Sequence, residues 1–488
     1  MRIAFVNSVA RNTAGYHTLS RTFPCLGLQV LAELTPKHHH MDLYDEVLGP
    51  SPLAEHLQTG QIDLVALSCY TSGATRAYEI ASMARAAGVP VIMGGVHASA
   101  CPEEAGRYVD SVATGECDDI WTTILEDAER KSLKPIYHGG LGKLEGRGGR
   151  AAHWLKPING RYNMPCIQTS RGCPVGCRFC SVTKFNGPKI RRRDPMEIVD
   201  EWNTIPGIVF GSLAFIVDDN FFGVSKKDAE WAKEFCKILA KKGNGRRWFS
   251  QTTLNMGDDE EGLRLAYKAG CRIMLIGFES FSPEGLAHYK KGINNKNLAR
   301  YKELVDKFHK AGIGIIGAFI VGADCDDANT PEFTRIMVNE IGIDVAQMTN
   351  LTPLPGTELF DEYVAKGRLV TNNYPEDWER HTFAETIFRP AKMTRYELDH
   401  ALYQVRSLGL RGRNSVFRKM LRTFWRTKSI ETALCARGIN SNYRRIIRYF
   451  VKRDRERFSV APQDGGNYPD EAKENVAQDM VLSETGGK

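Results

Sequence analysis

The sequence predicts an α/β protein with two parallel sheets: an N-terminal Rossmann-like sheet and a partial (βα)6 TIM-like barrel, followed by a helical C-terminal extension. Three observations predict this fold. Residues 1–135 alternate apolar strands with helices, and each strand ends in a small or polar loop. From Pro165 the strand-then-helix period recurs six times. Within 411–457, apolar residues recur at spacings of three and four among many basic ones, which is typical of amphipathic helices.

The composition is that of an ordinary globular protein. With 488 residues, 42% of them hydrophobic and 25% charged, the chain has room for two or three domains. The N-terminus resembles a strand start and not a secretion signal, and no apolar run approaches the ~20 residues of a membrane-spanning helix. The twelve cysteines are therefore expected to be reduced thiols. We predict a cytoplasmic protein.

The N-terminal sheet, residues 1–135, is predicted to bind a ligand. Strands are expected at 2–7, 63–68, 90–93 and 111–114. Ligands of doubly wound sheets bind beyond the carboxyl ends of the strands. The candidate pocket residues follow the last three of these strands: Ser72, Gly73, Gly94, Gly95, His97, Gly115 and Glu116.

The barrel is predicted over residues 164–360. Before it, residues 136–163 contain Pro, several Gly and a basic cluster, which is typical of a linker. The six barrel strands are expected at 166–170, 213–218, 248–252, 272–277, 312–319 and 345–351. Active sites of such barrels lie at the carboxyl ends of the strands. The segment after the first strand therefore falls on the active rim.

That segment carries Cys173, Cys177 and Cys180 within eight residues. A structural zinc ion needs four protein ligands, and no second CxxC pair lies nearby to complete such a site. Three thiolates suit a [4Fe–4S] cluster, which leaves one iron open to a substrate or cofactor. Gly172 and Gly176 support a cluster, because a backbone wrapped around it needs unusual torsion angles. Zinc, or a Cys-rich loop without metal, remains the alternative.

CxxxCxxC with an aromatic residue before the last cysteine, Phe179, resembles the signature of the radical S-adenosylmethionine (SAM) superfamily. The resemblance covers roughly residues 1–410. It implies that SAM chelates the open iron and that one electron from the cluster cleaves SAM to a 5′-deoxyadenosyl radical, which abstracts hydrogen. It also implies that the barrel rim, including Phe179, holds SAM.

Five further rim residues are candidates for binding SAM. Asp219 and Gln251 follow the second and third strands with polar groups that suit ligand contacts, although a loop cap is the alternative for Asp219. Glu279 and Ser280 resemble the segment that holds the ribose or amino-acid part of SAM, and a carboxylate can accept from two ribose hydroxyls. The stretch that ends at Gly317 resembles the segment behind the adenine of SAM, where a missing side chain lets the flat ring approach the backbone.

The stretches GGVHAS, PEEA and VATGE resemble the cobalamin-binding domain of one radical SAM branch. The chain lacks Asp-x-His-x-x-Gly, which supplies a histidine to cobalt in better-known cobalamin proteins. The resemblance therefore implies cobalamin bound without a protein histidine ligand. A Rossmann-like sheet without a corrin is the alternative.

The C-terminal region, residues 361–458, is predicted to be helical and basic. Between 411 and 457, fifteen Lys or Arg residues stand against three Asp or Glu. Such helices can lie on an anionic membrane, bind nucleic acid or cover the barrel. The Gly-, Asp-, Glu- and Ser-rich tail, residues 459–488, is predicted to be disordered.

The leading functional hypothesis is a cobalamin-dependent radical SAM methyltransferase that acts on an unactivated carbon of a lipid, hopanoid-like or other secondary-metabolite substrate. A radical SAM ring-forming or oxidative enzyme, of the tetrapyrrole or lipid cyclase type, and a tRNA methylthiotransferase are the alternatives. Expected partners are the small-molecule or lipid substrate and a one-electron donor such as flavodoxin or ferredoxin. No nucleic acid is expected. Residues 411–457 are expected to cover the barrel, with peripheral contact to the inner face of the membrane as the alternative.

Overall fold

The computed structural model describes residues 1–10, 23–144, 164–205, 213–410 and 415–458, together with Gly146 and Tyr162. Most of the predicted linker and the whole predicted disordered tail lie outside the described residues. Within the described ranges, no helix combines the length and the apolarity that crossing a bilayer needs.

The N-terminal part forms a doubly wound parallel sheet, as predicted. Its strands are β1 (Arg2–Asn7), β2 (His40–Asp45), β3 (Leu64–Ser68), β4 (Val91–Gly94), β5 (Ser111–Thr114) and β6 (Ile136–His138). All pairs are parallel, in the order β2-β1-β3-β4-β5-β6. The order reverses between β1 and β3, and such a switch point opens a crevice for ligands at the carboxyl ends of the strands.

Helices cover both faces of this sheet. They are α1 (Leu26–Leu34), α2 (Leu53–Gln58), α3 (Ala74–Ala86), α4 (Val96–Ala100), α5 (Pro102–Ala105) and α6 (Trp121–Glu129). In β1, Ala4 and Val6 belong to the core on the side of α3, whereas Ile3 and Phe5 pack with Trp121 on the other side. Burial on both faces explains why the strand is apolar throughout.

The sixth strand lies in the segment predicted to be linker. β6 pairs in parallel with β5, with Thr114 opposite His138. Only Tyr137 of its three residues is buried. A strand this short carries no apolar run, so its pairing with β5 and not its local sequence pattern places it in the sheet. The linker prediction is wrong for these three residues.

The second sheet is the predicted partial barrel. Its strands are β7 (Cys166–Ile167), β10 (Leu213–Ile216), β11 (Arg247–Thr252), β12 (Cys271–Glu279), β13 (Gly314–Val321) and β14 (Val345–Asn350), while β8 (Ser170–Arg171) and β9 (Arg191–Arg192) form a separate antiparallel hairpin. The six barrel strands are parallel in the order β14-β13-β12-β11-β10-β7. The predicted six βα units are confirmed.

The barrel helices form an outer layer. They are α7 (Val182–Asn186), α8 (Pro195–Thr204), α9 (Lys226–Lys242), α10 (Glu260–Lys268), α11 (Pro283–His288), α12 (Gly292–Asn297), α13 (Tyr301–Lys310) and α14 (Thr330–Ile341). Met274 and Ile276 of β12 share the outer core with these helices, whereas Ile273 and Leu275 belong to an inner cluster. Side chains alternate along a strand, so the inner set lines the barrel interior.

Four C-terminal helices close the barrel: α15 (Glu358–Ala365), α16 (Arg395–Leu410), α17 (Ser415–Thr427) and α18 (Ile430–Phe458). Cys435 and Ala436 of α18 pack into the inner cluster. Glu431 binds Arg247 and Arg272 at the amino ends of β11 and β12. The helical extension is confirmed, and α18 covers the end of the barrel opposite the rim.

Candidate functional site

The cysteine loop is held between β8 and β9 at the carboxyl end of β7. Asp218, fully buried after β10, accepts hydrogen bonds from the backbone N–H of Thr169 (2.7 Å) and Ser170 (3.0 Å) and so fixes the start of the loop. Gly172 has φ +97°, and a Cβ there would lie 2.3 Å from the carbonyl oxygen of Lys189. Only glycine fits this entry into the loop.

The three thiols suit an iron–sulfur cluster better than a single zinc ion. Cys173, Cys177 and Cys180 are half-buried and form no disulfide. Their sulfur atoms do not all lie within 4.8 Å of one another. Tetrahedral zinc with Zn–S bonds of about 2.3 Å would hold every pair of sulfurs at about 3.8 Å. The wider spacing and the three-thiol donor set fit a [4Fe–4S] cluster with one open iron.

A buried cation faces these thiols. Lys291 donates to Glu279 Oε1 at 2.8 Å, and both side chains are at least nine-tenths buried. Burial raises the pKa of Cys177 and Cys180, the latter to about 12, and the nearby Lys291 ammonium opposes that rise. Lys291 is thus placed to attract the anionic thiolates or a bound carboxylate.

The sequence predicted Glu279 as a site residue but missed Lys291. Glu279 adopts φ +64° at a bulge in the β12–β13 pairing, which turns its carboxylate toward Lys291. A Cβ on Gly277 would lie 2.2 Å from Glu279 Oε1 and 3.1 Å from Lys291 Nζ, so the missing side chain makes room for the pair. Lysine is common in loops, and no local pattern marks this one.

Asp219, a candidate for binding SAM, lies beside the cysteine loop. Its carboxylate accepts from the backbone N–H of Gly172 and from Asn186 Nδ2, each at 3.3 Å. Burial raises its pKa to about 6. A carboxyl group with this pKa is able to hold or release a proton near neutral pH.

The other predicted barrel residues divide into two groups. Gln251 is half-buried and shares a strand face with Phe249 of the inner cluster, and Phe179 is half-buried against Tyr289. Ser280 is buried, and its hydroxyl accepts from the N–H of Ser282 at the turn into α11, so it supports the loop.

Gly317 does not provide the expected free space. A Cβ there would lie 2.9 Å from the Phe319 ring and 3.1 Å from Ile343. The absent side chain therefore faces packed side chains of the outer core and leaves no opening for an adenine ring.

The glycine-rich loops of the first sheet lie together at its carboxyl edge. Gly95 and Gly115 have φ +95° and +71°, and a Cβ on Gly115 would lie 2.8 Å from the carbonyl oxygen of Gly139. Gly94 ends β4, while Ser72 and Gly73 lie in a short 3-10 helix after β3. Close backbone approach at these glycines leaves little side-chain bulk in the loops, which suits a large planar cofactor such as a corrin.

His97 does not line the pocket. It is fully buried in α4, and its Nε2 lies 2.9 Å from the Tyr78 hydroxyl and 3.5 Å from Glu104. Trp378 Nε1 also donates to Glu104, at 2.9 Å. His97 therefore helps to fasten the 376–380 turn to the first sheet and is turned away from the pocket.

Glu116 is also committed elsewhere. It is buried and forms ion pairs with Arg171 (2.9 Å) and with Arg191. Arg171 binds Asp118 as well, with N–O distances of 2.8 and 3.0 Å. This cluster joins the carboxyl edge of the first sheet to the hairpin that carries the cysteine loop, so the glycine-rich edge and the barrel rim face each other.

Known proteins match both halves of this arrangement. A family model for the radical SAM superfamily matches residues 167–324, and one for the B12 binding domain matches residues 15–125. Bacteriochlorophyllide d C-8(2)-methyltransferase of Chlorobaculum tepidum is 30% identical over 393 residues, which are 76% of this chain and 81% of that protein. The chain belongs to the cobalamin-binding radical SAM family. Its cofactors are a [4Fe–4S] cluster, SAM and cobalamin.

Other similar proteins have lower sequence identity. Hopanoid C-2 methylase of Rhodopseudomonas palustris is 24% identical over 383 residues, 75% of this chain and 71% of that protein. The radical enzyme OxsB with aqua-cobalamin and SAM bound has a TM-score of 0.64 at 14% identity, covering 95% of this chain and 82% of OxsB. The methyltransferase TsrM of Kitasatospora setae has a TM-score of 0.59 at 16% identity, covering 75% and 78%. Both structures share the fold.

Proposed function

We propose that this enzyme transfers a methyl group to an unactivated carbon of a secondary-metabolite or lipid substrate. One observation carries the proposal: the edge that suits a corrin and the rim that suits a cluster and SAM are fastened face to face by Arg171, Glu116 and Asp118. Relatives that methylate bacteriochlorophyllide d and hopanoids support it. When bound, the cluster supplies the electron for SAM cleavage, and cobalamin supplies the methyl group.

The chain's own residues bind and orient in this proposal. Cys173, Cys177 and Cys180 hold the cluster, while Lys291 and Glu279 bind the amino-acid or ribose part of SAM. We further assign Phe179, Asp219 and Gln251 to the SAM side and the edge residues Ser72, Gly73, Gly94, Gly95 and Gly115 to cobalamin. Asp219 holds or accepts a proton at its carboxylate. The domains are then 1–138 for cobalamin, 164–360 for the barrel and 361–458 for the helical region.

The test is anaerobic reconstitution with iron, sulfide and hydroxocobalamin, followed by metal analysis and incubation with SAM labelled in its methyl group. Wild type is expected to hold about four iron atoms and one cobalt per chain, in line with one [4Fe–4S] cluster and one corrin. Cys177→Ala is expected to lose the iron and SAM cleavage. Cys325→Ala, at another half-buried free cysteine, is the matched control and is expected to retain both. Iron without cobalt in wild type would refute methyl transfer by cobalamin.

An anaerobic magnesium-protoporphyrin IX monomethyl ester cyclase of Cereibacter sphaeroides is 27% identical over 397 residues. Ring formation is therefore the second candidate. Labelled methyl recovered in a product other than methionine supports methylation, because SAM cleavage by itself leaves the label in methionine. Cobalt-dependent SAM cleavage with the label confined to methionine would favour the cyclase reaction.

We propose that the electron donor docks beside the cysteine loop. Pro174 and Gly176 at its tip are exposed, so the cluster lies close to the surface. Lys184 and Lys189 next to it are exposed and form no ion pair with the described residues. An acidic flavodoxin or ferredoxin suits this surface. Reversing both charges (Lys184→Glu with Lys189→Glu) is expected to slow cluster reduction at least about tenfold, whereas Lys226→Glu with Lys227→Glu is the matched control.

We also propose peripheral membrane contact through α17. Phe417, Leu421 and Trp425 are 52%, 39% and 66% exposed and lie on one side of the helix, beside exposed Arg418 and Arg422. This basic apolar face suits an anionic bilayer.

The position of α17 separates membrane contact from substrate choice. Thr423 of α17 donates to Asp344, which precedes β14, so the helix lies toward the amino ends of the barrel strands. If α17 contacted a membrane, the barrel rim would face away from that membrane. Membrane contact through α17 therefore does not favour a lipid substrate. Trp425→Ser is expected to reduce sedimentation with anionic vesicles, while Phe333→Ser, at another exposed aromatic (50%) on α14, is the control. Equal sedimentation of both variants and wild type would refute the proposal.

A further inference from the structure

Tyr70 is the most exposed large apolar or aromatic side chain of the described residues. Three quarters of it, 74%, is accessible, and its hydroxyl has no hydrogen-bond partner within the described chain. It follows β3, directly beside the switch point between β1 and β3. Ligands of doubly wound sheets bind in the crevice at such a switch point, so a ligand bound there would cover the Tyr70 ring.

Groups from both sheets lie near the Tyr70 phenol. Cys25, Cys166 and Asp219 all lie within electrostatic range, and desolvation raises the pKa of the phenol to about 12. Cys166 belongs to β7, and Asp219 follows β10 beside the cysteine loop. Tyr70, at the edge of the first sheet, therefore lies near the β7 and β10 strands of the barrel.

No imidazole of the described edge competes for this position. His97, the histidine of the glycine-rich loop, is fully buried and bonded to Tyr78 behind Gly95. His138 at the end of β6 is bonded through Nδ1 to Thr114 Oγ1 at 2.9 Å, at the far edge of the sheet. The chain thus presents an oxygen donor, and not a nitrogen donor, at the switch point.

We propose that Tyr70 is the protein group facing the cobalt of bound cobalamin, on the side of the corrin turned toward the first sheet, and that its phenol oxygen contacts the metal in place of an imidazole. This inference rests on cobalamin binding as proposed above. Phenol oxygen is a weaker donor to cobalt than imidazole nitrogen, so the contact would leave the other axial position of cobalt reactive. It would also keep the nucleotide base of the cofactor off this face.

Electron paramagnetic resonance of the reconstituted enzyme in the cob(II)alamin state tests this contact without measuring turnover. An axial nitrogen splits each cobalt line into a triplet, whereas oxygen-16 has no nuclear spin and causes no splitting. Wild type is expected to show no triplet. Tyr70→His is expected to show one, and labelling the protein with ¹⁵N-histidine is expected to convert it to a doublet, because the nitrogen then belongs to the protein and not to the cofactor.

Two further variants complete the test. Ile136→His places a histidine at the start of β6, at the opposite end of the strands, and is expected to show no triplet. Tyr70→Phe keeps the ring without its oxygen and is expected to retain cobalt but shift the cobalt lines. A nitrogen triplet in wild type, or a Tyr70→Phe spectrum identical to wild type, would overturn the inference even if Tyr70→His fails to fold. Absence of cobalt from wild type would instead refute the proposed function.

Discussion

Replacing Arg171 with methionine is expected to weaken the joint between the two sheets. Arg171 Nη1 donates to Glu116 at 2.9 Å and to Asp118 at 2.8 Å, and Nη2 donates to Asp118 at 3.0 Å. Methionine keeps most of the apolar stem but removes every one of these bonds. The carboxylates then stay buried at the interface, and only Glu116 retains another cation, Arg191.

The size of the effect follows from burial. The Arg171 side chain is 9% exposed, and those of Glu116 and Asp118 are 4% and 12% exposed. Removing one partner of a buried ion pair costs about 3–5 kcal/mol, because an uncompensated charge remains. Since Arg191 still neutralises Glu116, the lower end, about 3 kcal/mol, is expected for the free energy of unfolding.

Urea denaturation followed by circular dichroism measures this loss, and cobalt content after reconstitution measures docking. Arg300→Met is the matched control, because Arg300 binds Asp258 and Glu303 on the surface, with all three side chains more than a third exposed. Surface pairs contribute about 0–1 kcal/mol. Equal losses in Arg171→Met and Arg300→Met would refute the argument that the joint is a buried ion cluster.

Three further outcomes are expected. Lys291→Met should lower the affinity for SAM about tenfold or more, because it removes a charge-assisted hydrogen bond. The neighbouring Lys290 is 55% exposed, and Lys290→Met should leave the affinity unchanged. Equal SAM binding by both variants would show that Lys291 does not bind SAM. Gly172→Ala should lose iron, because alanine disfavours the φ of +97° at this position. Gly176→Ala should lose less iron, because a Cβ there would meet no atom within 4 Å. Retained iron in Gly172→Ala would show that the loop adapts to the added side chain. Burial lowers the pKa of His381 from 6.5 to about 4. As the pH drops from 6.5 to 4, the unfolded state binds a proton at this histidine before the folded state does. The free energy of unfolding should therefore fall by about 3 kcal/mol over this range. An equal decrease in His381→Gln would contradict that assignment.

Local pattern was sufficient for the fold and for proposing the metal ligands. Strand and helix periods depend on neighbours in sequence, so both parallel sheets and the six βα units could be predicted from residues alone. The three cysteines also lie within one short loop, so their spacing carries the chemistry. β6 was missed because three residues with one buried side chain leave no pattern.

Side-chain direction and distant partners were decided only by the tertiary structure. His97 and Glu116 follow strands at the predicted edge, yet one is turned into the core and the other is bound by two arginines from the barrel hairpin. Lys291 reaches Glu279 because of a bulge and a glycine, Gly277, in the strand that carries Glu279. Tyr70 gains its significance from the barrel residues near it. The sequence thus determined which loops meet at the site, while packing between the two sheets decided which side chains face it, because such contacts join residues far apart in the chain.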